Sequence, residues 1–216
     1  MTVLTKSMLP AHSSFRQLWT HGNDLGNYNS LDPAERNLVA GAVDSRKAEF
    51  GDARWCAHRA IEELTGKPSA KPILRGERGM PIWPNQITGS MTHTNGFRAA
   101  VVAPRLLVRS IGVDAEIAQP LPEGVLASIA SERELSRMGE TGLACADRLL
   151  FCAKEATYKA WFPLTGRWLG FEDADIDLRA DGTFISYILV RPTPVHFIEG
   201  HWTVENGYVI ATAIVR

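Results

Sequence analysis

Two Asn-Gly turns constrain the fold of this chain more than any other feature. Each turn separates two strand-like runs. Asn95-Gly96 lies between residues 86–92 and 97–102, and Asn206-Gly207 lies between residues 201–204 and 208–215. Asn-Gly between two such runs is the strongest short signal for a β-hairpin, because both turn residues accept positive φ. The two turns lie about half the chain apart. The sequence therefore predicts an α+β fold of two similar, pseudo-repeated lobes, in which antiparallel strands pack against helices.

Helix signals precede the strands of the first half. Asp32 followed by Pro33 is typical of a helix start, with an acid at the N-cap and proline at the first helical position. Asp52 is expected to cap a second helix, in which small and apolar residues recur at helical spacing until Gly66 ends it. These elements and the first hairpin make up a predicted N-terminal lobe at residues 1–110.

The second half, residues 111–216, repeats the order of helices and then strands. Ser131 followed three residues later by Glu134 is a capping-box pattern. A long helix is predicted from about residue 145 to 162, because the residue before Pro163 avoids the helical conformation. Residues 183–190 are predicted to be a strand before the closing hairpin.

Composition and charge limit the class of protein. The chain has 216 residues, is 45% hydrophobic and 22% charged, and carries a formal net charge of -1. Such a composition is that of an ordinary globular protein, and the near-zero charge gives no pull toward nucleic acid or membrane. The N-terminus lacks the apolar core of a signal peptide, and the three cysteines lack metal-ligand spacing. We therefore expect a cytoplasmic protein that binds neither nucleic acid nor membrane.

Acidic residues from two distant segments point to a metal site. Asp114 and Glu116 follow a strand-like run, so they share a face if the extended conformation continues. Glu155 and Lys159 lie four residues apart in the predicted long helix and also share a face. Three carboxylates beside one lysine would hold a hard divalent cation next to a phosphate-sized anion, and Mg²⁺ suits oxygen ligands of this kind.

Each half of this pattern has an ordinary structural alternative. An Asp-x-Glu pair at a strand end is often a solvated edge, and a Glu–Lys pair at helical spacing is a common surface ion pair worth about 0.2–0.5 kcal/mol. Local charge favours the functional hypothesis: residues 45–78 are predominantly basic, whereas residues 112–140 are predominantly acidic. This distribution would suit a polyphosphate, although a chance distribution of charge on solvated helices would look the same.

Three motifs in this order resemble the 4'-phosphopantetheinyl transferase superfamily. They are Gly-Ser-Met-Thr-His at 89–93, preceded by Trp83-Pro84; Gly-Val-Asp-Ala-Glu at 112–116; and Phe-Cys-Ala-Lys-Glu-Ala-Thr-Tyr-Lys-Ala-Trp at 151–161. The resemblance covers residues 44–163 and is closest to the monomeric, two-lobed type that includes the surfactin- and enterobactin-synthetase activators. The small trimeric holo-acyl-carrier-protein synthases are about half this length.

The resemblance implies transfer of 4'-phosphopantetheine from coenzyme A to a serine of an apo acyl or peptidyl carrier protein, with release of adenosine 3',5'-bisphosphate. It implies that Asp114, Glu116 and Glu155 bind Mg²⁺, with Mn²⁺ as a possible substitute. Glu155 would also act as general base for the serine hydroxyl, directly or through a water. Lys159 would neutralise the pyrophosphate and protonate the leaving phosphate. The C-terminal lobe would carry this metal site and the carrier-protein side.

The same resemblance assigns coenzyme A contacts, mainly to the 3'-phosphate and adenine side in the N-terminal lobe. The residues are Arg46, Arg54, Arg75, Arg78, Ser90, Thr92, His93, Lys154 and Lys159. Relatives often have lysine where this chain has Met80, so either Arg75 or Arg78 would take over that phosphate contact. Ala115 lies between the metal ligands and cannot coordinate, which leaves that coordination position to a water.

Two other functions fit part of the pattern. A non-catalytic coenzyme A or nucleotide-binding protein would bind its ligand without Mg²⁺ dependence. A Mg²⁺-dependent phosphohydrolase would release free phosphate in the absence of any carrier protein. The sequence does not distinguish fatty-acid, polyketide and nonribosomal-peptide carriers.

Overall fold

A computed structural model describes residues 3–20 and 22–216. The chain divides into two compact units. The N-terminal unit is Ala11–Arg109, and the C-terminal unit is Ser110–Arg216 together with the first described residues up to Pro10. Both units combine helices with antiparallel sheet, so the α+β prediction is confirmed. None of the described helices is long and apolar enough to cross a membrane.

The N-terminal unit is a three-stranded antiparallel sheet covered by one long helix. Its elements are β1 (Ser14–Trp19), α1 (Gly26–Asn29), α2 (Pro33–Asn37), α3 (Asp44–Thr65), β2 (Leu74–Arg75), β3 (Pro81–Ile82), β4 (Ile87–Thr94) and β5 (Phe97–Pro104). The sheet order is β1-β5-β4, while β2 and β3 form a separate short pair. Ala57 and Ala60 of α3 are fully buried against Ala100 and Val102 of β5, so small side chains bring the helix close to the sheet.

The C-terminal unit is a five-stranded antiparallel sheet, also covered by a long helix. Its elements are β6 (Ser110–Ile117), α4 (Val125–Ile129), α5 (Glu132–Met138), α6 (Ala146–Thr165), β7 (Ala174–Leu178), β8 (Thr183–Ile188), β9 (Phe197–Glu205) and β10 (Tyr208–Val215). The sheet order is β6-β10-β9-β8-β7. One core cluster joins Leu149, Leu150 and Trp161 of α6 to apolar residues of the sheet. Both units therefore contain the predicted arrangement of a long helix on antiparallel strands.

Several sequence predictions are confirmed by local contacts. Oδ1 of Asp32 accepts a hydrogen bond from the Ala34 amide at 2.8 Å, as expected of an N-cap at the start of α2. The capping box of α5 is present, with Ser131 and Glu134 as its reciprocal partners. Both predicted hairpins form, and Asn206 and Gly207 have φ values of 52° and 81°, which suits the tight turn.

Other predictions need correction. Asp52 does not cap a helix: α3 begins at Asp44, and the Asp52 carboxylate instead accepts a hydrogen bond from Asn27 Nδ2 at 2.7 Å. The helix ends at Gly66 as predicted, with φ 65°. Pro163 does not end α6, which continues to Thr165. Trp161 and Phe162 are buried, and this packing holds the last turn in spite of the proline.

The strand bounds also differ from the prediction. β8 is shorter than the predicted 183–190, and β9 begins at Phe197 rather than at residue 201. β1 and β7 were not predicted at all. β7 alternates apolar residues with Asp175 and Asp177, as an antiparallel strand does, but aspartate has a low strand propensity and this hid the strand.

Candidate functional site

The contact between α6 and β6 is the basis of the candidate site in the C-terminal unit. A Cβ atom added at Gly112 would lie 1.9 Å from the carbonyl oxygen of Ala156 and 2.8 Å from the amide nitrogen of Ala160. The backbone of β6 therefore touches the backbone of α6, and only glycine fits. Because alternate residues of a strand share a face, Asp114 and Glu116 lie on the same face as Gly112, toward α6.

Two ion pairs join these acids to the helix. Lys159 Nζ lies 2.6 Å from Asp114 Oδ1 and also donates to the Val113 carbonyl oxygen at 3.1 Å. Arg148 Nη1 lies 3.1 Å from Glu116 Oε2. Arg148, Glu155 and Lys159 are spaced by seven and four residues, so all three lie on one face of α6. The structure thus brings the two predicted acidic segments together, and it adds Arg148, which sequence reasoning missed.

Glu155 lies in the negative field of the strand carboxylates. Burial raises the pKa of Glu155, and the charges of Asp114 and Glu116 raise it further, while Lys159 lowers it. Burial likewise raises the pKa of Glu116, followed by the charge of Asp114, with Arg148 acting in the opposite direction. A raised carboxyl pKa suits a group that must accept a proton near neutral pH.

Lys159 remains protonated in this surrounding. Burial alone lowers the pKa of its ammonium group, but the charge and hydrogen bond of Asp114, together with the charge of Glu155, outweigh that effect and raise the pKa overall. A charged ammonium at this position can neutralise a phosphate oxygen. Its side chain is 29% exposed, so an anion in solvent can reach it.

The donor chemistry of the three acids fits a magnesium ion, although they are not arranged as a finished site. Among residues 3–20 and 22–216, no group of three His, Cys, Asp or Glu side chains has metal-binding geometry. Asp114, Glu116 and Glu155 nevertheless offer only carboxylate oxygens, the ligand type that Mg²⁺ prefers. Burial is the main cause of the raised pKa values of Glu116 and Glu155, and the charge of Asp114 adds to both shifts; a bound cation would relieve that repulsion. We conclude that the residues present fit a hard divalent cation.

Lys154, the neighbour of Glu155, has protein partners of its own. Its Nζ donates to the carbonyl oxygens of Phe171 at 2.6 Å and Ala174 at 2.8 Å, and it lies 2.8 Å from Glu134 Oε1. Both charged side chains of this ion pair are at most 3% exposed. Lys154 therefore links α6 to α5 and to the start of β7 in this structure.

In the N-terminal unit, the predicted residue His93 meets Arg46 on the helix side of the sheet. Arg46 Nη1 donates to His93 Nε2 at 2.5 Å. Glu49 lies between three basic side chains, at 3.3 Å from Arg46, 3.8 Å from His93 and 3.6 Å from Arg98. Glu49 and Arg98 were not predicted as part of a site. Glu49 could have been found from the sequence, because it follows Arg46 by three residues on a helix and residues at this spacing are neighbours.

Arg54 and Arg75, also predicted, meet on one aromatic ring. The guanidinium carbon of Arg54 lies 3.7 Å from the centre of the Phe50 ring, and that of Arg75 lies 6.0 Å from it. Burial lowers the pKa of Arg54 to about 10; Glu35 opposes this shift, while Arg75 and Arg46 add to it. The three arginines therefore share one region of positive potential, as a multiply charged anion requires.

The remaining predicted residues lie apart from these two groups. Ser90 and Thr92 are buried and alternate with Met91 along β4, so they lie on the opposite face of the sheet from His93. Arg78 is exposed in the turn between β2 and β3, where its φ of 50° places it in the left-handed region. The structure thus groups Arg75 with Arg54 and leaves Arg78 on the neighbouring turn.

Comparison with known proteins agrees with this combination of fold and acidic site. Residues 34–103 match the 4'-phosphopantetheinyl transferase N-terminal domain, and residues 110–213 match the 4'-phosphopantetheinyl transferase superfamily. The chain is 45% identical to 4'-phosphopantetheinyl transferase Npt of Nocardia iowensis, over 98% of this chain and 99% of that protein. It is 49% identical to 4'-phosphopantetheinyl transferase PptT of Mycobacterium tuberculosis, over 85% of each chain.

A further relative is 4'-phosphopantetheinyl transferase Svp of Streptomyces mobaraensis, at 44% identity over 86% of this chain and 78% of that protein. The fold and the comparisons thus define the class of protein: it is a transferase, and its acidic residues lie on a strand and a helix. The chain belongs to the 4'-phosphopantetheinyl transferase superfamily, as the sequence motifs predicted.

Proposed function

We propose that this protein transfers 4'-phosphopantetheine from coenzyme A to a serine hydroxyl of an apo acyl or peptidyl carrier protein and releases adenosine 3',5'-bisphosphate. The observation that carries the proposal is the placement of Glu155 and Lys159 on one face of α6, opposite Asp114 and Glu116 of β6. Family membership supports the transferred group, since the relatives are named for it.

The proposed reaction needs a base, a nucleophile and a cation. Glu155 removes the proton of the carrier serine, directly or through a water, and a positioned base of this kind contributes about 10²–10⁴-fold to rate. The serine oxygen attacks the phosphorus that bears pantetheine, and the bond from that phosphorus to the bridging oxygen of adenosine 3',5'-bisphosphate breaks. Lys159 neutralises the departing phosphate and supplies its proton. The attacking oxygen belongs to the partner, so the enzyme needs no nucleophile of its own.

Asp114, Glu116 and Glu155 would hold Mg²⁺, or Mn²⁺ in its place. The bound ion would neutralise charge on the pyrophosphate, as divalent cations do in phosphoryl transfer. Asp114 and Glu116 currently face Lys159 and Arg148, so the protein already compensates part of the negative charge of the site. Mg²⁺ dependence is therefore a testable part of the proposal.

Coenzyme A would be bound in addition by basic residues of the N-terminal unit. The grouping of Arg46, Arg54 and Arg75 supports contacts with the 3'-phosphate and adenine side, and the hydrogen bond from Arg46 to His93 supports the inclusion of His93. Arg75 is the better candidate than Arg78 for the contact that Met80 cannot make, since Arg75 shares the Phe50 ring with Arg54. Ser90, Thr92 and Lys154 stay predictions that rest on the resemblance.

We further infer a monomer that works in the cytoplasm. Cys56, Cys145 and Cys152 are all buried and free, which is compatible with a reducing compartment. Size-exclusion chromatography with light scattering would test the monomer, and a mass equal to twice the chain would contradict it.

One assay tests the proposed reaction against its alternatives. The protein is incubated with coenzyme A, Mg²⁺ and each of a panel of apo carrier proteins, and the carrier mass is measured. We expect one carrier serine to gain one phosphopantetheine group, and EDTA to abolish the gain. Free phosphate released without a carrier would favour a phosphohydrolase. Coenzyme A binding that is independent of Mg²⁺, with no transfer to any carrier, would favour a non-catalytic binding protein.

A further inference from the structure

Glu35 of α2 is a fully buried carboxylate to which the proposed reaction gives no role. Its oxygens both lie 3.0 Å from His58 Nε2, and Oε1 accepts a hydrogen bond from the Ile73 amide at 3.1 Å. Oε1 also lies 3.6 Å from Arg54 Nε. Glu35 is 0% exposed, and a buried carboxylate is stable only when charged and hydrogen-bonding partners surround it. One side chain therefore joins α2, α3 and the segment before β2.

His58 completes this arrangement because both its nitrogens are used. A carboxylate only accepts hydrogen bonds, so His58 Nε2 carries the proton that is donated to Glu35. Nδ1 lies 2.7 Å from Ser69 Oγ, in the segment that leads from α3 to β2. The imidazole thus fixes the carboxylate on one side and this connecting segment on the other. A cleft of about 270 Å³ lined by Glu35, His58 and Ser69 opens beside it.

The Arg54 guanidinium is fixed by the same group of residues. Its Nε donates to the Ile73 carbonyl oxygen at 3.3 Å, its carbon lies over the Phe50 ring, and Glu35 provides the counter-charge. Glu35 also binds the amide of Ile73, two residues before Arg75. Loss of the carboxylate would release the Arg54 side chain and loosen the backbone that carries Arg75.

We propose that Glu35, oriented by His58, is a positioning residue for the binding of the coenzyme A phosphates and acts through Arg54. This inference rests on the proposed function, in which Arg54 and Arg75 contact coenzyme A. Glu35 itself touches no substrate in this proposal. It holds the guanidinium in a binding geometry before the ligand arrives, so the side chain loses less conformational entropy on binding.

Simple charge neutralisation predicts the opposite effect, and this makes the proposal testable. If Glu35 only cancelled positive charge, the Glu35→Gln variant would leave a more positive site and bind the anionic ligand more tightly. If Glu35 positions Arg54, the same variant keeps the shape of the side chain but loses the fixed geometry, and binding weakens. Changes in such supporting residues typically weaken binding about 10–100-fold where they have been measured around metal ligands.

The experiment measures Kd for adenosine 3',5'-bisphosphate by calorimetry, and KM and kcat for coenzyme A in the carrier assay. For Glu35→Gln we expect Kd and KM to rise about tenfold or more with kcat nearly unchanged, because the reacting groups lie in the other unit. Glu63→Gln is the matched control: it is an exposed residue of α3 that pairs only with Arg16, at 3.9 Å, among the ion pairs of the described residues, and it should leave all three values unchanged. Unchanged or tighter binding by Glu35→Gln would overturn the proposal.

A double-variant cycle tests whether Glu35 acts through Arg54. In an Arg54→Lys background, Glu35→Gln should add little to the loss, whereas independent residues would give additive losses. If circular dichroism shows that Glu35→Gln does not fold, His58→Gln takes its place. We expect this variant to raise Kd as well, and a wild-type Kd would overturn the proposal. A wild-type protein that neither binds the bisphosphate nor modifies a carrier would instead refute the proposed function.

Discussion

Lys159 of α6 and Asp114 of β6 form a 2.6 Å ion pair that fixes the helix face carrying Glu155 against the strand carrying Glu116. Asp114 is buried, so its charge requires a nearby cation, and Lys159 supplies it. In the proposed reaction, a divalent ion bound by the carboxylates would free the ammonium for a phosphate oxygen. One lysine would then compensate the charge of Asp114 before the ion binds and that of the substrate afterwards.

Replacement of Glu155 by glutamine should reduce transfer to the carrier by at least about 10²-fold, because the amide cannot accept the serine proton. The initial rate of carrier modification, followed by mass spectrometry, measures the loss. Glu132→Gln, an exposed residue of α5, is the control and should retain the wild-type rate. Full activity of Glu155→Gln would remove this residue from the mechanism.

Gly112→Ala should destabilise the C-terminal unit by about 3 kcal/mol or more, since its Cβ would lie 1.9 Å from the Ala156 carbonyl oxygen and α6 would have to move. Urea unfolding followed by tryptophan fluorescence measures the effect. At Gly139 an added Cβ meets no atom within 4 Å, so Gly139→Ala should change stability by less than about 1 kcal/mol. Equal stability of the two variants would contradict the tight contact between helix and strand.

Lys154→Met should lower the free energy of unfolding by about 3–5 kcal/mol, because it leaves the buried carboxylate of Glu134 without its cation. Adding Glu134→Gln should recover part of that loss, since the uncompensated charge is then removed. Denaturant titrations of the two single variants and the double variant give the coupling energy. Additive losses would show that the two side chains do not depend on each other.

The cysteines should be unreactive at alkaline pH in the folded protein. Burial raises the pKa of Cys56 to about 12 and that of Cys152 well above its usual value, and it also raises the pKa of Cys145. The unfolded chain loses these thiol protons near pH 8.5, so stability should be full below that pH and decline as pH rises above it. Titration with a disulfide reagent at pH 8.5 should detect little thiol in the native state and three thiols in denaturant. Rapid native reaction of Cys152 would contradict its burial.

Local chemistry made much of the fold predictable. Asp32, Ser131 and the two Asn-Gly turns act through their own neighbours, and each forms the cap or hairpin expected of it. Asp52 was misjudged because its partner, Asn27, lies 25 residues away and belongs to another helix. The end of α6 was placed too early because the burial of Trp161 and Phe162 outweighs the local effect of proline.

The same distinction applies to the candidate site. Asp114, Glu116, Glu155 and Lys159 could be recognised because strand and helix periodicity place them on defined faces. Arg148 and Glu35 could not, since their importance depends on contacts across 32 and 23 residues, with Glu116 and His58 respectively. Counter-charges of this kind have no spacing rule in the sequence.

The adjacent residues Lys154 and Glu155 have different partners: Lys154 forms a structural ion pair with Glu134, and Glu155 lies in the field of the acidic strand. A related chain that kept the lysine but lost the glutamate would be expected to fold normally and to be inactive. A chain with the reverse change would retain the chemistry yet survive poorly in the cell. In this dipeptide, folding and chemical competence can therefore be lost separately.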